Sequence, residues 1–243
     1  MVDARRHDTS PAKATRARGR TGFFVPMVKD FWKDLAALGC NLSEIGYFTM
    51  ISTSKATSPI GSLYMRHEWA DLDGTNLDHA ERTLEQLEKR GLIARDGYYI
   101  LVVSWIRQYA FNNPKYLRAG LYPLQNEIDS PFLRFVFGTQ LLQLRLCDLD
   151  KTKAANLHES ASLLWAEITG SALPPADAMD GDIDQPNDYM VTALSNMPGI
   201  ELAVTELDRR TWCVVQAELH RPLQQALGKH RKVTQIQPRA SNH

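Results

Sequence analysis

Apolar and polar positions alternate along the chain with periods that mark out short elements. The clearest lies at Leu77, Ala80, Leu84 and Leu87, which recur at helical spacing and share one side of a 100°-per-residue wheel. This predicts a helix over 77–90, stopped by Gly91 in the position after the last turn, where a positive φ costs least without a Cβ. Upstream, Asn41-Leu-Ser-Glu44 offers a cap with an acid close behind, so a second helix is predicted to run to about Ser54. Its Ile45, Phe48, Met50 and Ile51 would turn toward a core. Ser58-Pro-Ile-Gly61 is a turn signal, Ser62–Met65 a short strand, Arg66–Leu72 a short helix, and Asp73–Asn76 the next turn. After Gly91, Leu92–Arg95 and Tyr98–Val103 read as strands around Asp96-Gly97, the dipeptide that most favours a tight hairpin.

Helix, strand, helix, helix, hairpin, in that order, is the arrangement of a winged helix-turn-helix. The fold class expected is therefore mainly α: a winged helix-turn-helix with a small β-hairpin wing, followed by an α-helical C-terminal region. The winged module is placed at 22–125. A helical extension follows at 126–169, where Ser130-Pro131 opens an apolar helix to about Cys147 and a further helix spans 154–168. The first of these is apolar around much of its circumference, which suits either a core helix or an oligomer contact. Residues 170–189 form an acidic, Pro- and Gly-containing linker, 190–233 a C-terminal helical region, and 234–243 a tail.

Charge changes this picture more than composition does. The formal net charge of the 243 residues is zero, with 28 basic and 28 acidic side chains. The zero is a cancellation. Residues 1–20 carry six Lys/Arg against two acids, residues 148–208 two against twelve, and residues 209–243 seven against one. Residues 1–21 hold almost no large apolar side chains and are read as a disordered basic arm. Basic ends suggest an anionic partner, although two solvated tails would look the same. No apolar run is long enough to span a membrane, and the basic N-terminus lacks the apolar stretch of a secretory signal, so a cytoplasmic protein is expected. Cys40, Cys147 and Cys213 lie far apart with no paired spacing, which argues against a disulfide framework or zinc site.

The helix over 77–90 is the candidate recognition element. Opposite its apolar side stand Asp78, His79, Arg82, Gln86, Lys89 and Arg90, with Glu81, Glu85 and Glu88 on a flank. Arg, Gln and His side chains there suit base edges or phosphates in a major groove. A solvated or protein-binding side would have a similar mixture. Arg95 at the hairpin and Arg16, Arg18 and Arg20 of the arm, with Arg5 and Arg6, are candidates for phosphate contact. The stretch Trp105, Arg107, Tyr109, Phe111, Lys115, Tyr116, Arg118 interleaves bases with aromatics. That mixture can hold single strands by stacking plus charge, or simply pack against the domain.

No Walker loop, GxGxxG, GxSxG or HExxH pattern occurs. Asp180, Asp182, Asp184 and Asp188 resemble half of a calcium loop, but Gln185 stands where its glycine belongs, and an acidic solvated linker accounts for them. Tyr47, Tyr64, Tyr98, Tyr99 and Tyr109 have no His/Arg cluster nearby in sequence and are expected in the core, and Cys40 is expected to be a buried structural thiol. No catalytic site, metal or cofactor is expected, and the chain is not expected to be an enzyme.

The run Tyr47-Phe-Thr-Met-Ile-Ser-Thr-Ser, then Pro59-Ile-Gly-Ser-Leu-Tyr64, resembles the opening of phage replisome-organiser and DnaD-like proteins. So do Ala80-x-x-x-Leu84-x-x-Leu87-Glu88-x-x-Gly91-Leu92-Ile93, the strand after Asp96-Gly97, Trp105-Ile106, and Asn112-Asn-Pro-Lys115. The likeness covers residues 40–120, about a third of the chain. It implies an N-terminal winged helix that binds origin double-stranded DNA, self-associates, or both, in a phage protein working in the host cytoplasm. It also implies recruitment of a host helicase or helicase loader by the C-terminal part, although no helicase-loader signature is seen there. DNA binding in phage replication initiation is therefore the function expected first. The alternatives are a winged-helix transcriptional regulator and an interaction adaptor that never touches DNA.

Overall fold

In a computed structural model, residues 31–54, 57–65, 77–103, 105, 114–144, 146, 149–179, 188–209 and 225–227 are described. The expected helix at 66–72, the basic arm with Arg16, Arg18 and Arg20, Asp180–Asp184, and the tail lie outside these residues. The chain is mainly helical with a small antiparallel sheet.

Helix α1 (Phe31–Ala37) leads into α2 (Leu42–Thr53), which begins where the sequence signal lies. The Asn41 side chain accepts from the Glu44 N–H at 2.9 Å, and the Glu44 carboxylate accepts from the Asn41 N–H at 3.0 Å, so two amides that helix geometry leaves orphaned are satisfied reciprocally. Strand β1 (Ser62–Tyr64) follows a turn organised by Ser58, whose hydroxyl accepts from the Ser62 N–H at 3.1 Å. In this turn Gly61 has φ +79°, and a Cβ there would stand 2.5 Å from Cγ of Trp105, so both conformation and space demand glycine. Helix α3 (Leu77–Lys89) is the predicted amphipathic helix, and Gly91 after it has φ +70°.

Strands β2 (Ile93–Asp96) and β3 (Tyr99–Val102) form the hairpin, and the sheet order is β1-β3-β2. Asp96 pairs with Tyr99, so the two loop residues are Gly97 and Tyr98, one position later than Asp96-Gly97. The reason is local: Gly97 has φ +55° while Tyr98 does not adopt positive φ, and a turn with positive φ at its first central position puts the glycine there.

The sheet separates two layers. Leu63, Ile93, Ile100 and Val102 face a front core with Leu35, Ile45, Phe48, Ile51, Leu84, Leu87 and Trp105. Ala94 and Leu101 face the other way, into a larger rear core. That alternation is the two-residue period of a strand buried on both sides. The rear layer is built from α4 (Pro114–Ala119), α5 (Leu121–Asn126), α6 (Pro131–Leu142), α7 (Lys151–Thr169), α8 (Asp188–Ser195) and α9 (Ile200–Arg209). Ser130 caps α6 and Asp150 caps α7, each accepting from the N–H three residues on. Helix α6 lies against β2, α7, α8 and α9, and every residue from Phe135 to Leu142 is buried. Its nearly all-round apolarity is therefore used within the chain.

Two expectations shift. The segment read as a linker begins folded: Leu173 and Met179 enter the rear core, and the Pro174 carbonyl lies 2.9 Å from Nε2 of His158. Tyr64 and Tyr98 are half exposed instead of sitting in the core, with the Tyr64 ring in edge contact with both Tyr98 and Tyr99, because the strands end there and no described helix covers their tips. No described helix is long and apolar enough to cross a membrane.

Candidate nucleic-acid interface

Helix α3 presents its outer side because its inner side is well anchored. Ala80, Thr83, Leu84 and Leu87 are buried against α2 and β2. Burying Leu84 and Leu87 contributes about 1.5–3 kcal/mol each from apolar area alone. Leu77, expected in the same row, is 46% exposed, since the first turn projects past the edge of the front core. Thr83 fills part of the row in its place, with its hydroxyl turned back onto the His79 carbonyl at 2.9 Å.

Arg82, Gln86 and Lys89 stand on the outer side, all exposed. Their i, i+4, i+7 spacing lines them along one stripe two turns long. The Arg82 guanidinium donates to its own helix at the Asp78 carbonyl, 3.0 Å away, while Gln86 and Lys89 have no partner among the described residues. Asp78 and Glu85 are exposed beside them, so the stripe is polar and balanced in charge.

The other three residues of the expected set are directed inward. His79 leans onto α2, with Nε2 2.9 Å from the Ser43 hydroxyl and the ring in edge contact with Tyr47. Arg90 donates to Glu44 at 3.0 Å and to the Leu38 carbonyl at 2.6 Å. Glu44 is only 2% exposed, so its charge is sustained by this partner and by the capping N–H. Arg95 does not reach outward from the hairpin tip. Its guanidinium meets Glu81 at 2.8 Å and Glu88 at 3.3 Å, and its N–H meets Glu88 at 3.1 Å, fastening β2 to α3. The wheel placed Glu81 and Glu88 on a flank of α3. What lies opposite that flank depends on where the hairpin packs, which no local pattern encodes. The Arg90–Glu44 pair, 46 residues apart, is likewise invisible to local spacing.

Comparison of the chain with protein-family models, curated proteins and solved structures finds no match.

The front core also fixes the state of Cys40, which is buried and unbridged. Burial pushes its thiol pKa up, and nearby Arg90 only partly opposes that. A thiol held protonated is a poor nucleophile. Among the described residues no group of three or more His, Cys, Asp or Glu side chains is placed to hold a metal.

Proposed function

We propose that the front layer is a winged helix-turn-helix that binds double-stranded DNA through the outer stripe of α3. The observation that carries this is the accessibility of Arg82, Gln86 and Lys89, with α3 packed on α2 and β2 among the described elements. A straight polar stripe of donors on an anchored helix matches what a major groove admits. Arg90 and Arg95 act here as supports: their ion pairs hold α3 in place relative to α2 and the hairpin, which preorganises the stripe. The arm residues Arg16, Arg18 and Arg20 would add phosphate contacts. The proposed setting for this binding is phage replication initiation, supported by the resemblance of residues 40–120 to replisome organisers. Self-association and a helicase or loader partner belong to the same reading.

The test is duplex binding by fluorescence anisotropy across a salt series, with footprinting of the site. Phosphate contacts make affinity fall with salt, by a slope of about 0.9 per contact. Arg82→Ala/Lys89→Ala is expected to weaken binding and flatten the slope. An origin footprint supports replication, and a promoter footprint supports a transcriptional regulator. The balanced charge of the stripe, Asp78 and Glu85 against Arg82 and Lys89, favours one rival reading, a protein-binding adaptor. Salt-independent or absent duplex binding by the full chain would remove the DNA reading and leave that rival.

A further inference from the structure

On the other side of the sheet from α3, a cavity of about 510 Å³ opens between α4 and α7. Among the described residues it is lined by Pro114, Lys115, Arg118 and Asn156. Lys115 and Arg118 come from one turn of α4, and Asn156 from the facing turn of α7. Arg118 is held in place from two directions. Its Nε donates to the buried Ser160 hydroxyl at 3.1 Å, and its terminal nitrogen meets Glu159 at 2.8 Å. Ser160 in turn donates to the Asn156 carbonyl at 2.8 Å, so the α7 wall is fixed as well. The Arg118 side chain remains 46% exposed, and its guanidinium has donors left over. The Lys115 ammonium and the Asn156 amide have no partner among the described residues.

The cleft thus gathers an exposed ammonium, a preoriented guanidinium and an uncommitted amide, with one carboxylate already spent on the guanidinium. A fixed guanidinium beside an ammonium is suited to a phosphate, since the fork geometry is set before binding. The volume is that of a small-ligand site and larger than one phosphate group requires. A recess between two helices can take the backbone of a single strand. Basic residues lining such a groove are how single strands are held without sequence preference.

We propose that the cleft between α4 and α7 binds the phosphodiester backbone of single-stranded DNA through Lys115, Arg118 and Asn156. This site is separate from the α3 stripe, and a chain carrying both would engage a duplex on one side of the sheet and an opened strand on the other.

The experiment uses the full chain and a labelled oligothymidylate, with thymidine monophosphate and inorganic phosphate as competitors. Binding is expected to weaken with salt and to resist competition by either small anion. Lys115→Glu and Asn156→Asp each place a negative charge in the cleft at an exposed, unpartnered position, so the fold is retained. Each is expected to weaken oligothymidylate binding at least tenfold while leaving duplex affinity alone. Arg82→Ala/Lys89→Ala is expected to do the reverse, so the two sites fail separately. Absent oligothymidylate binding, wild-type affinity in both cleft variants, or full displacement by the monophosphate at matched concentration would overturn the proposal.

Discussion

The two layers flanking the sheet are held together by different means. In front, small helices cover one side of the sheet, and ion pairs finish the work: Glu44 with Arg90, and Arg95 with Glu81 and Glu88. Behind it, α6 is enclosed by apolar side chains from four elements. Polar groups in front mostly find partners, as Trp105 Nε1 does at the Pro59 carbonyl, 3.0 Å away, with the Ser52 hydroxyl an exception. In the rear core both amide atoms of Gln140 and Nε1 of Trp165 are buried without a partner among the described residues. The contrast teaches where specificity and bulk stability reside. A thin layer gains too little from burial to fix one orientation of α3, and directional pairs supply the rest. A thick core gains enough from burial to tolerate unpaired polar atoms, which cost about 1–3 kcal/mol each.

The largest expected effect breaks the rear layer. Phe137 is wholly buried at the centre of α6, so Phe137→Ala should cost about 3–5 kcal/mol in denaturant unfolding. A loss below about 1 kcal/mol would show that α6 is not central to stability. Next comes the front. Arg90→Ala strands the buried Glu44 carboxylate and should cost about 3 kcal/mol, while Glu44→Gln/Arg90→Met, which removes both charges, should recover much of it. Equal losses in the two variants would mean that the pair itself matters less than the volume it fills.

A third change sharpens the contrast with the opposite sign. Gln140→Met removes the unpaired amide at nearly the same volume and should stabilise the chain by about 1 kcal/mol. A loss instead would point to a bound water satisfying the amide.

The smallest effects lie at the two ends of the pH scale. In the folded chain Cys40 binds its proton more tightly than its ordinary 9.0 allows, because burial disfavours the thiolate. Its contribution is therefore intact below 9.0 and is lost as pH rises through the higher native value. Asp150, capping α7, is shifted the other way by the Lys153 N–H and ammonium. Its contribution is present above its ordinary 3.8 and is lost as pH falls through the lower native value. Thermal melts across pH should show the alkaline decline reduced in Cys40→Ala and the acid decline reduced in Asp150→Asn.

Much of the front layer was legible one residue at a time. The cap at Asn41, the apolar row of α3, the glycine that ends it and the existence of the hairpin are local events, each decided within a turn or two of chain. The same holds for α6 and α7, whose caps and apolar spacing are written beside them. The outward position of Arg82, Gln86 and Lys89 followed from period alone, because opposite a buried row lies an exposed one unless another element covers it.

Only tertiary packing decided which of the basic residues stay available. Arg90 and Arg95 carry the same charge as Lys89 and lie near it in sequence, yet both turn inward, because carboxylates from α2 and from the flank of α3 meet them there. Packing also drew Leu173 and Met179 out of an apparent linker and brought Asn156 opposite Lys115. A helical period specifies direction about one axis and nothing about the neighbour on the other side. The sequence therefore set the elements and their buried rows, and the distances between elements set which charges meet one another and which are left for a ligand.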